Sequence, residues 1–332
     1  LFYSWLVYRQ CRGKPYLAGA LALLAFLASR YLWGARPQIF SILMLAVFMA
    51  LIQDVRSGRT GWKRLYALPF LIILWVNLHS GYLLGIVVLA VFFLGDTFQA
   101  VLLRDEAGTV GRGRLKHLFL IILLCLNAAC LNPSGYKILL YPVETLRSTM
   151  MQSVILEWQT PTFHHPNYWP FLAIMALGAF AFMASPPQRN ISNYLLYAGS
   201  MAAGLFARRH IPFFAIVAIP IISKALWECF PGAWTVLQER TVRPHPCDRW
   251  RIIRHALNPL LVALLAAGVW TWTGYRLKNN AKVIEKIYPV GAVSVLKKHK
   301  ADGGLRIFNE YFWGGYLVWN GIPVFIDGRA DL

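Results

Sequence analysis

The sequence is poor in charged residues and poorest in acidic ones. Only 14% of its 332 residues are charged, and 14 Asp and Glu stand against 33 Lys and Arg. Hydrophobic residues make up 58%, and the mean hydropathy is +0.49. A soluble domain of this size could not bury so much apolar surface. The composition therefore excludes an ordinary soluble protein and predicts a polytopic integral membrane protein.

Cysteine is also scarce, and the five cysteines follow neither a zinc-ligand spacing nor a disulfide framework. We therefore expect no metal or other cofactor, with a divalent ion as the alternative. The net charge of +19 would suggest a nucleic-acid partner for a soluble protein. Here the cations lie between apolar runs, where topology and anionic lipid explain them. We expect membrane lipid, and no nucleic acid, as the partner.

Apolar runs that suggest membrane spans recur along the chain. They cover residues 1–8, 16–33, 38–53, 65–78, 82–103, 117–131, 168–185, 193–207, 211–230 and 257–275. We predict an all-α bundle of about ten spans over residues 1–276. Because the sequence opens on Leu1 inside an apolar run and stops abruptly at Leu332, we expect it to be a fragment of a longer chain.

The chain changes character after residue 276. A helical pattern covers 281–300, and β-type runs follow at 305–308, 315–319 and 324–326. This predicts the start of a small α/β segment over 277–332. The candidate binding residues near the predicted strand ends are Asn309, Trp313, Asp327 and Arg329. Turn chemistry alone would also select such residues there.

The loops between the apolar runs alternate in positive charge. One set carries 17 Lys and Arg, and the alternate set carries 6. Because cytoplasmic loops are rich in Lys and Arg, the first set is predicted to be cytoplasmic and the segment after Arg276 extracytoplasmic. The cytoplasmic loops are interpreted as solvated basic linkers.

The unusual polar residues fall on the side poor in positive charge. Asn77 and His79 stand between two apolar runs, where either a turn or a site would require them. Arg208, Arg209 and His210 form either an interfacial anchor or an anion site, because paired cations on this side oppose the topology rule. Either reading is compatible with the sequence.

Carboxylates are rarer still on this side. Before residue 277 its loops contain only Glu144 and Glu157. A reaction that needs a general base here would use one of them or a histidine. Glu157, next to Trp158, is our candidate base, and capping a helix or pairing with a cation such as Arg209 is the structural alternative.

Several motifs together resemble a family of uncharacterised bacterial inner-membrane proteins, itself similar to the GT-C superfamily of multi-span glycosyltransferases. These motifs are Arg36-Pro37-Gln38, Trp75-Val76-Asn77-Leu78-His79-Ser80-Gly81, Leu131-Asn132-Pro133-Ser134-Gly135, Glu157-Trp158, Arg208-Arg209-His210-Ile211-Pro212, the segment 308–316 and Phe325-Ile326-Asp327-Gly328-Arg329.

The resemblance implies sugar transfer from a polyprenyl-phosphate donor at the outer face of the inner membrane. It implies an acidic catalytic residue, whose carboxylate accepts the acceptor's proton, in the first extracytoplasmic loop, and we expect this loop to precede Leu1. Arg36, Arg208 and Arg209 would hold the phosphate, and His79 would bond to the donor or acceptor. A multi-span transporter or flippase and a non-catalytic assembly protein are the alternatives.

Overall fold

The computed structural model describes residues 2–11, 15–30, 36–102, 112–147, 155–185, 190–230, 232, 248–300 and 306–327. Within these ranges the regular structure is helical and no strand is present. The chain forms two compact units, Leu1–Val242 and Arg243–Leu332. The division falls before the last predicted span, whereas the sequence suggested a boundary after it.

Each apolar run predicted in the first unit lies on a helix. In chain order the helices are α1 (Phe2–Gln10), α2 (Pro15–Ser29), α3 (Gln38–Arg56), α4 (Leu68–Leu78), α5 (Leu83–Leu102), α6 (Arg112–Ala129), α7 (Tyr141–Arg147), α8 (Trp169–Ala184), α9 (Ile191–Phe206) and α10 (Ile211–Cys229). Short 3-10 turns precede several of them, at Trp62–Ala67, Ser80–Tyr82, Pro166–Tyr168 and Arg208–His210.

Four helical stretches of the described chain are long and apolar enough to cross a membrane. They are Gln38–Arg56, Ser80–Val101, Pro166–Ala184 and Arg208–Cys229. Helices of this kind identify a membrane protein with several spans. The other predicted spans lie on shorter or more polar helices and stay predictions, so about ten spans are not confirmed.

Helix α10 forms the centre of the first unit. Every residue from Ile211 to Ser223 is buried, and the helix packs against α1, α2, α3, α8 and α9. A helix that is apolar on all sides belongs inside a bundle. Phe214 holds two neighbours by ring contacts, with centroids 5.4 Å from those of Phe171 and Tyr197. Helix α10 is therefore the element around which α1, α2, α3, α8 and α9 pack.

The second unit contains α11 (Asp248–Lys278), α12 (Asn280–Ile287), α13 (Val290–Lys300) and α14 (Gly314–Trp319). The helical pattern predicted for 281–300 is confirmed, with a break at Tyr288 and Pro289, because proline lacks the N–H that a continuous helix needs. The last predicted span, 257–275, lies within α11.

The predicted α/β segment is not found among the described residues. The strand prediction for 315–319 is wrong, since these residues form α14, whose Leu317 packs with Val293 and Ile322. Residues 306–308 and 324–326 form no strand either. Short apolar runs cannot distinguish a strand from a buried helix by periodicity, and packing on α13 decides the outcome here.

Candidate functional site

The loops of the first unit lie at two ends of the bundle, and helix α3 runs from one end to the other. The Glu157 end contains Arg30, Arg36, His79, Glu157, Trp158 and Arg208–His210. The Asp96 end contains Arg9, Asp54, Arg56, Arg59, Asp96 and Arg114. The 19 residues of α3 separate these ends by about 28 Å. The cations at each end come from one of the two loop sets that alternate in positive charge along the sequence.

Arg36 and Glu157 form an ion pair at the Glu157 end. Arg36 lies just before α3, and Glu157 lies in the 3-10 turn Leu156–Trp158. The Arg36 guanidinium donates to Glu157 Oε1, and the side chains are 65% and 28% exposed. Because water competes for both groups, such a pair is weakly bound and can exchange with another charged group. The carboxylate is thus held in place but accessible.

Arg209 contacts the loop that carries Glu157 through the ring of Trp158. Its guanidinium stacks 4.3 Å from the centroid of the Trp158 ring, as in a cation–π contact. The edge of His210 meets the same ring, with centroids 6.2 Å apart, and His210 Nδ1 donates to Ala203 O at 3.1 Å. This stacking fixes a positive charge on Trp158, the residue that follows Glu157.

Arg208 holds the loop that carries Glu157. Its backbone N–H donates to Gln159 O, and its side-chain Nε donates to Thr160 O, both at 3.1 Å. Its guanidinium also lies 5.4 Å from the centroid of the Tyr168 ring. Of the predicted cation pair, therefore, Arg208 bonds to the backbone of the loop and Arg209 stacks on its Trp158 ring.

His79 lies at the turn between α4 and α5, where it is bonded through one ring nitrogen. Ser41 Oγ is 2.7 Å from His79 Nδ1, and the Gly81 N–H donates to the same nitrogen at 3.1 Å. Trp75 Nε1 donates to Ser41 Oγ at 2.8 Å. Burial, assisted by the positive charge of Arg209, lowers the pKa of His79 from 6.5 to about 4. His79 is therefore a neutral imidazole near pH 7.

Gln38 adds a polar group that the sequence analysis included in a motif but did not identify as a candidate site residue. It begins α3, two residues after Arg36, and is 5% exposed. Its Nε2 has no hydrogen-bond partner among the described residues. A buried amide donor without a partner is costly, and a bound ligand or water would satisfy it. Its position in the Arg36-Pro37-Gln38 motif was the available signal.

Asn77 lies near this region but is bonded into the bundle. Its Nδ2 donates to Ile73 O at 2.8 Å and to Leu131 O at 2.9 Å. Asn132 in turn donates to Val76 O at 3.2 Å and to Asn77 Oδ1 at 3.3 Å. The two asparagines thus join the ends of α4 and α6. These contacts favour the structural reading of both motifs.

The candidates in the second unit also make structural contacts. Asn309 Nδ2 donates to Ile326 O at 2.8 Å, and Asn309 Oδ1 accepts from Phe325 N at 2.9 Å. The side chain of Asn309 therefore joins its own segment to the backbone of residues 325–326. Trp313 Nε1 donates to Ile287 O at 3.2 Å. A Cβ on Gly314 would lie 2.6 Å from the Cα of Asp327, so glycine is required for this approach. Arg329 lies outside the described residues.

The Asp96 end was not anticipated. Asp96 is 1% exposed and accepts from Arg56 at 2.8–3.1 Å, from Arg114 at 2.9 Å and from Ser192 Oγ at 3.0 Å. Asp54, 5% exposed at its side chain, pairs with Arg9 at 3.0 Å and with Arg59. The interpretation of these loops as solvated linkers is wrong for Arg56 and Arg114, whose side chains are only 13% and 17% exposed. The signal was an acidic residue inside an apolar run, since such a residue requires a partner.

Within the described ranges, no three His, Cys, Asp or Glu side chains come together as metal ligands. Comparison of the chain with protein-family models, curated proteins and solved structures gives no match. Function is therefore argued from the Glu157 end itself, which combines several arginines, the accessible carboxylate of Glu157 and, at Gln38, a hydrogen-bond donor without a partner among the described residues.

Proposed function

We propose that the protein is a membrane glycosyltransferase that takes a sugar from a polyprenyl-phosphate donor. The observation that carries the proposal is the composition of the Glu157 end, where Arg36 pairs with Glu157 and Arg208 and Arg209 contact the residues that follow it in the same loop. Guanidinium groups gathered at one loop suit a phosphate, which accepts charge-assisted hydrogen bonds.

The ion pair suggests how binding and chemistry are connected. A donor phosphate that engages Arg36 and Arg209 competes with Glu157 for Arg36, and an exposed pair of this kind exchanges at little cost. Glu157 is then free to accept the proton of an acceptor hydroxyl. The acceptor oxygen bonds to the anomeric carbon, the bond from that carbon to phosphate breaks, and the arginines stabilise the leaving polyprenyl phosphate.

The location that fits this reaction is the outer face of a bacterial inner membrane. The Glu157 end carries the loops that are poor in positive charge, which are extracytoplasmic by the positive-inside rule. The same rule places the segment after Arg276 outside the cytoplasm. We also propose α11 as a further span, because Trp270, Trp272 and Tyr275 precede Arg276 and Lys278 in the pattern of an interfacial belt.

The experiment is binding and turnover with the full chain reconstituted in proteoliposomes. Polyprenyl phosphate should bind saturably, and a radiolabelled polyprenyl-phosphate sugar should lose its sugar to water or to an added acceptor. Saturable binding with no loss of sugar would contradict the enzyme and favour the transporter or assembly protein. The absence of binding would contradict the site as a whole.

A further inference from the structure

A chain of hydrogen bonds leads from the buried side chains of Trp75 and Ser41 to His79 at the Glu157 end. We infer that Ser41 and Trp75 are positioning residues that hold His79 with its proton on Nε2, so that His79 offers the site an N–H donor and not a base. The inference concerns the side chain itself. Its use in binding the donor rests on the proposed function.

The backbone fixes the tautomer. The Gly81 N–H lies 3.1 Å from His79 Nδ1, and an amide N–H can only donate. Nδ1 must therefore carry a lone pair. In a neutral imidazole the proton is then on Nε2, for which the described residues provide no hydrogen-bond partner.

Ser41 and Trp75 reinforce the same arrangement. The indole N–H of Trp75 can only donate, so Ser41 Oγ is its acceptor at 2.8 Å. The hydroxyl proton of Ser41 is left to point at Nδ1, 2.7 Å away. Both side chains are fully buried, so water does not compete with this chain of donors. Nδ1 thus receives two hydrogen bonds, from Ser41 and from Gly81.

The packing of Gly81 makes the arrangement specific. A Cβ at this position would lie 2.3 Å from Ser41 Oγ and 3.1 Å from His79 Nδ1. Any other residue would separate the serine from the imidazole. The motif Trp75-Val76-Asn77-Leu78-His79-Ser80-Gly81 therefore contains the indole donor, the imidazole and the glycine that allows them to meet through α3.

A fixed Nε2–H sets the chemistry of whatever contacts His79. The group must be a hydrogen-bond acceptor, and a phosphate oxygen of the donor lipid fits this requirement beside Arg209. A positively charged His79 would be repelled by Arg209, so a neutral donor suits a site whose charge is already supplied by arginine.

The test is ¹⁵N NMR of the full chain labelled at histidine, with the His79 signals assigned by comparison with His79→Gln. We expect an unprotonated Nδ1, a protonated Nε2 and no titration from about pH 8 to about pH 5. Ser41→Thr keeps the hydroxyl. Ser41→Val introduces a side chain of the same shape as threonine but without the hydroxyl. The pKa of His79 should stay low in the threonine variant and rise by about one unit or more in the valine variant.

If the Ser41→Val variant does not fold, Trp75→Phe provides an independent test of the inference. It should raise the pKa of His79 by less than Ser41→Val does, and Trp169→Phe, which removes an indole donor that bonds Phe163 O, should leave it unchanged. A proton on Nδ1, or equal pKa values in the Thr and Val variants, would overturn the inference. If the tautomer is as inferred but polyprenyl phosphate leaves the Nε2 signal unmoved, the proposed function fails.

Discussion

At the Asp96 end of the first unit, the buried carboxylates of Asp54 and Asp96 are each held by two arginines, whereas at the Glu157 end the accessible carboxylate of Glu157 pairs with Arg36. Asp96 uses both oxygens in hydrogen bonds to Arg56, Arg114 and Ser192. A buried network of this kind joins α3, α5, α6 and α9 and leaves the carboxylate no capacity for a ligand. Pairs of arginine with a carboxylate are thus buried at one end and accessible at the other.

The largest effect expected from this contrast is on folding. Asp96→Asn would remove the negative charge that Arg56 and Arg114 share in a largely buried position. Removing one member of a buried charge network commonly costs about 3–5 kcal/mol. We expect a loss of this size in the free energy of unfolding, measured by denaturant titration in lipid bicelles.

Asp54→Asn provides the matched control at the same end. Its partners Arg9 and Arg59 are 41% and 37% exposed, so water can solvate them after the carboxylate is lost. The loss of stability should be clearly smaller than for Asp96→Asn. An equal or larger loss would show that burial of the arginines does not distinguish the two carboxylates.

The next effect concerns catalysis at the Glu157 end. Glu157→Gln should reduce sugar transfer by about 10²-fold or more, because proton transfer by a positioned base commonly contributes 10²–10⁴. Its stability should change by less than about 1 kcal/mol, because the pair with Arg36 is exposed. Transfer rate and thermal unfolding are measured on the same preparation. A loss of stability that accounts for the lost activity would assign Glu157 a structural role.

A further test determines on which side of the membrane each of the two ends lies, and it measures topology alone. After removal of the native cysteines, Ser57→Cys and Ser294→Cys are labelled with a membrane-impermeant thiol reagent on intact spheroplasts. Ser294→Cys should react and Ser57→Cys should not, because position 57 follows α3 at the Asp96 end. Reaction at position 57 alone would place the Glu157 end in the cytoplasm.

Helix positions in the first unit could be predicted from the sequence because long apolar runs have one solution in a bilayer, where every backbone group needs an internal partner. The second unit could not be predicted in this way. The run 315–319 is short and apolar on every side, so the packing of Leu317 decided between a strand and a helix. The contacts of Asn309 depend on two segments that are 16 or more residues apart.

Part of the composition of the candidate site could be predicted from the sequence, but its arrangement could not. A count of charges in loops assigned Arg36, Glu157 and Arg209 to one side, and in the structure Arg36 pairs with Glu157 while Arg209 stacks on Trp158. It could not separate the stacked Arg209 from the loop-clamping Arg208, which depends on the rings of Trp158 and Tyr168. The same count overlooked the Asp96 end, because pairing across helices is a property of three-dimensional contact.

The central claim is that arginine binds ligand at the Glu157 end and stabilises the fold at the Asp96 end. Its most direct test compares Arg209→Gln with Arg56→Gln in the same two assays, polyprenyl-phosphate affinity and thermal unfolding. For Arg209→Gln we predict affinity weaker by about 1.5–3 kcal/mol, which is more than tenfold, with nearly unchanged unfolding. For Arg56→Gln we predict a lower unfolding temperature and unchanged affinity in the folded fraction. The opposite assignment, or equal effects of both variants on affinity, would contradict the account.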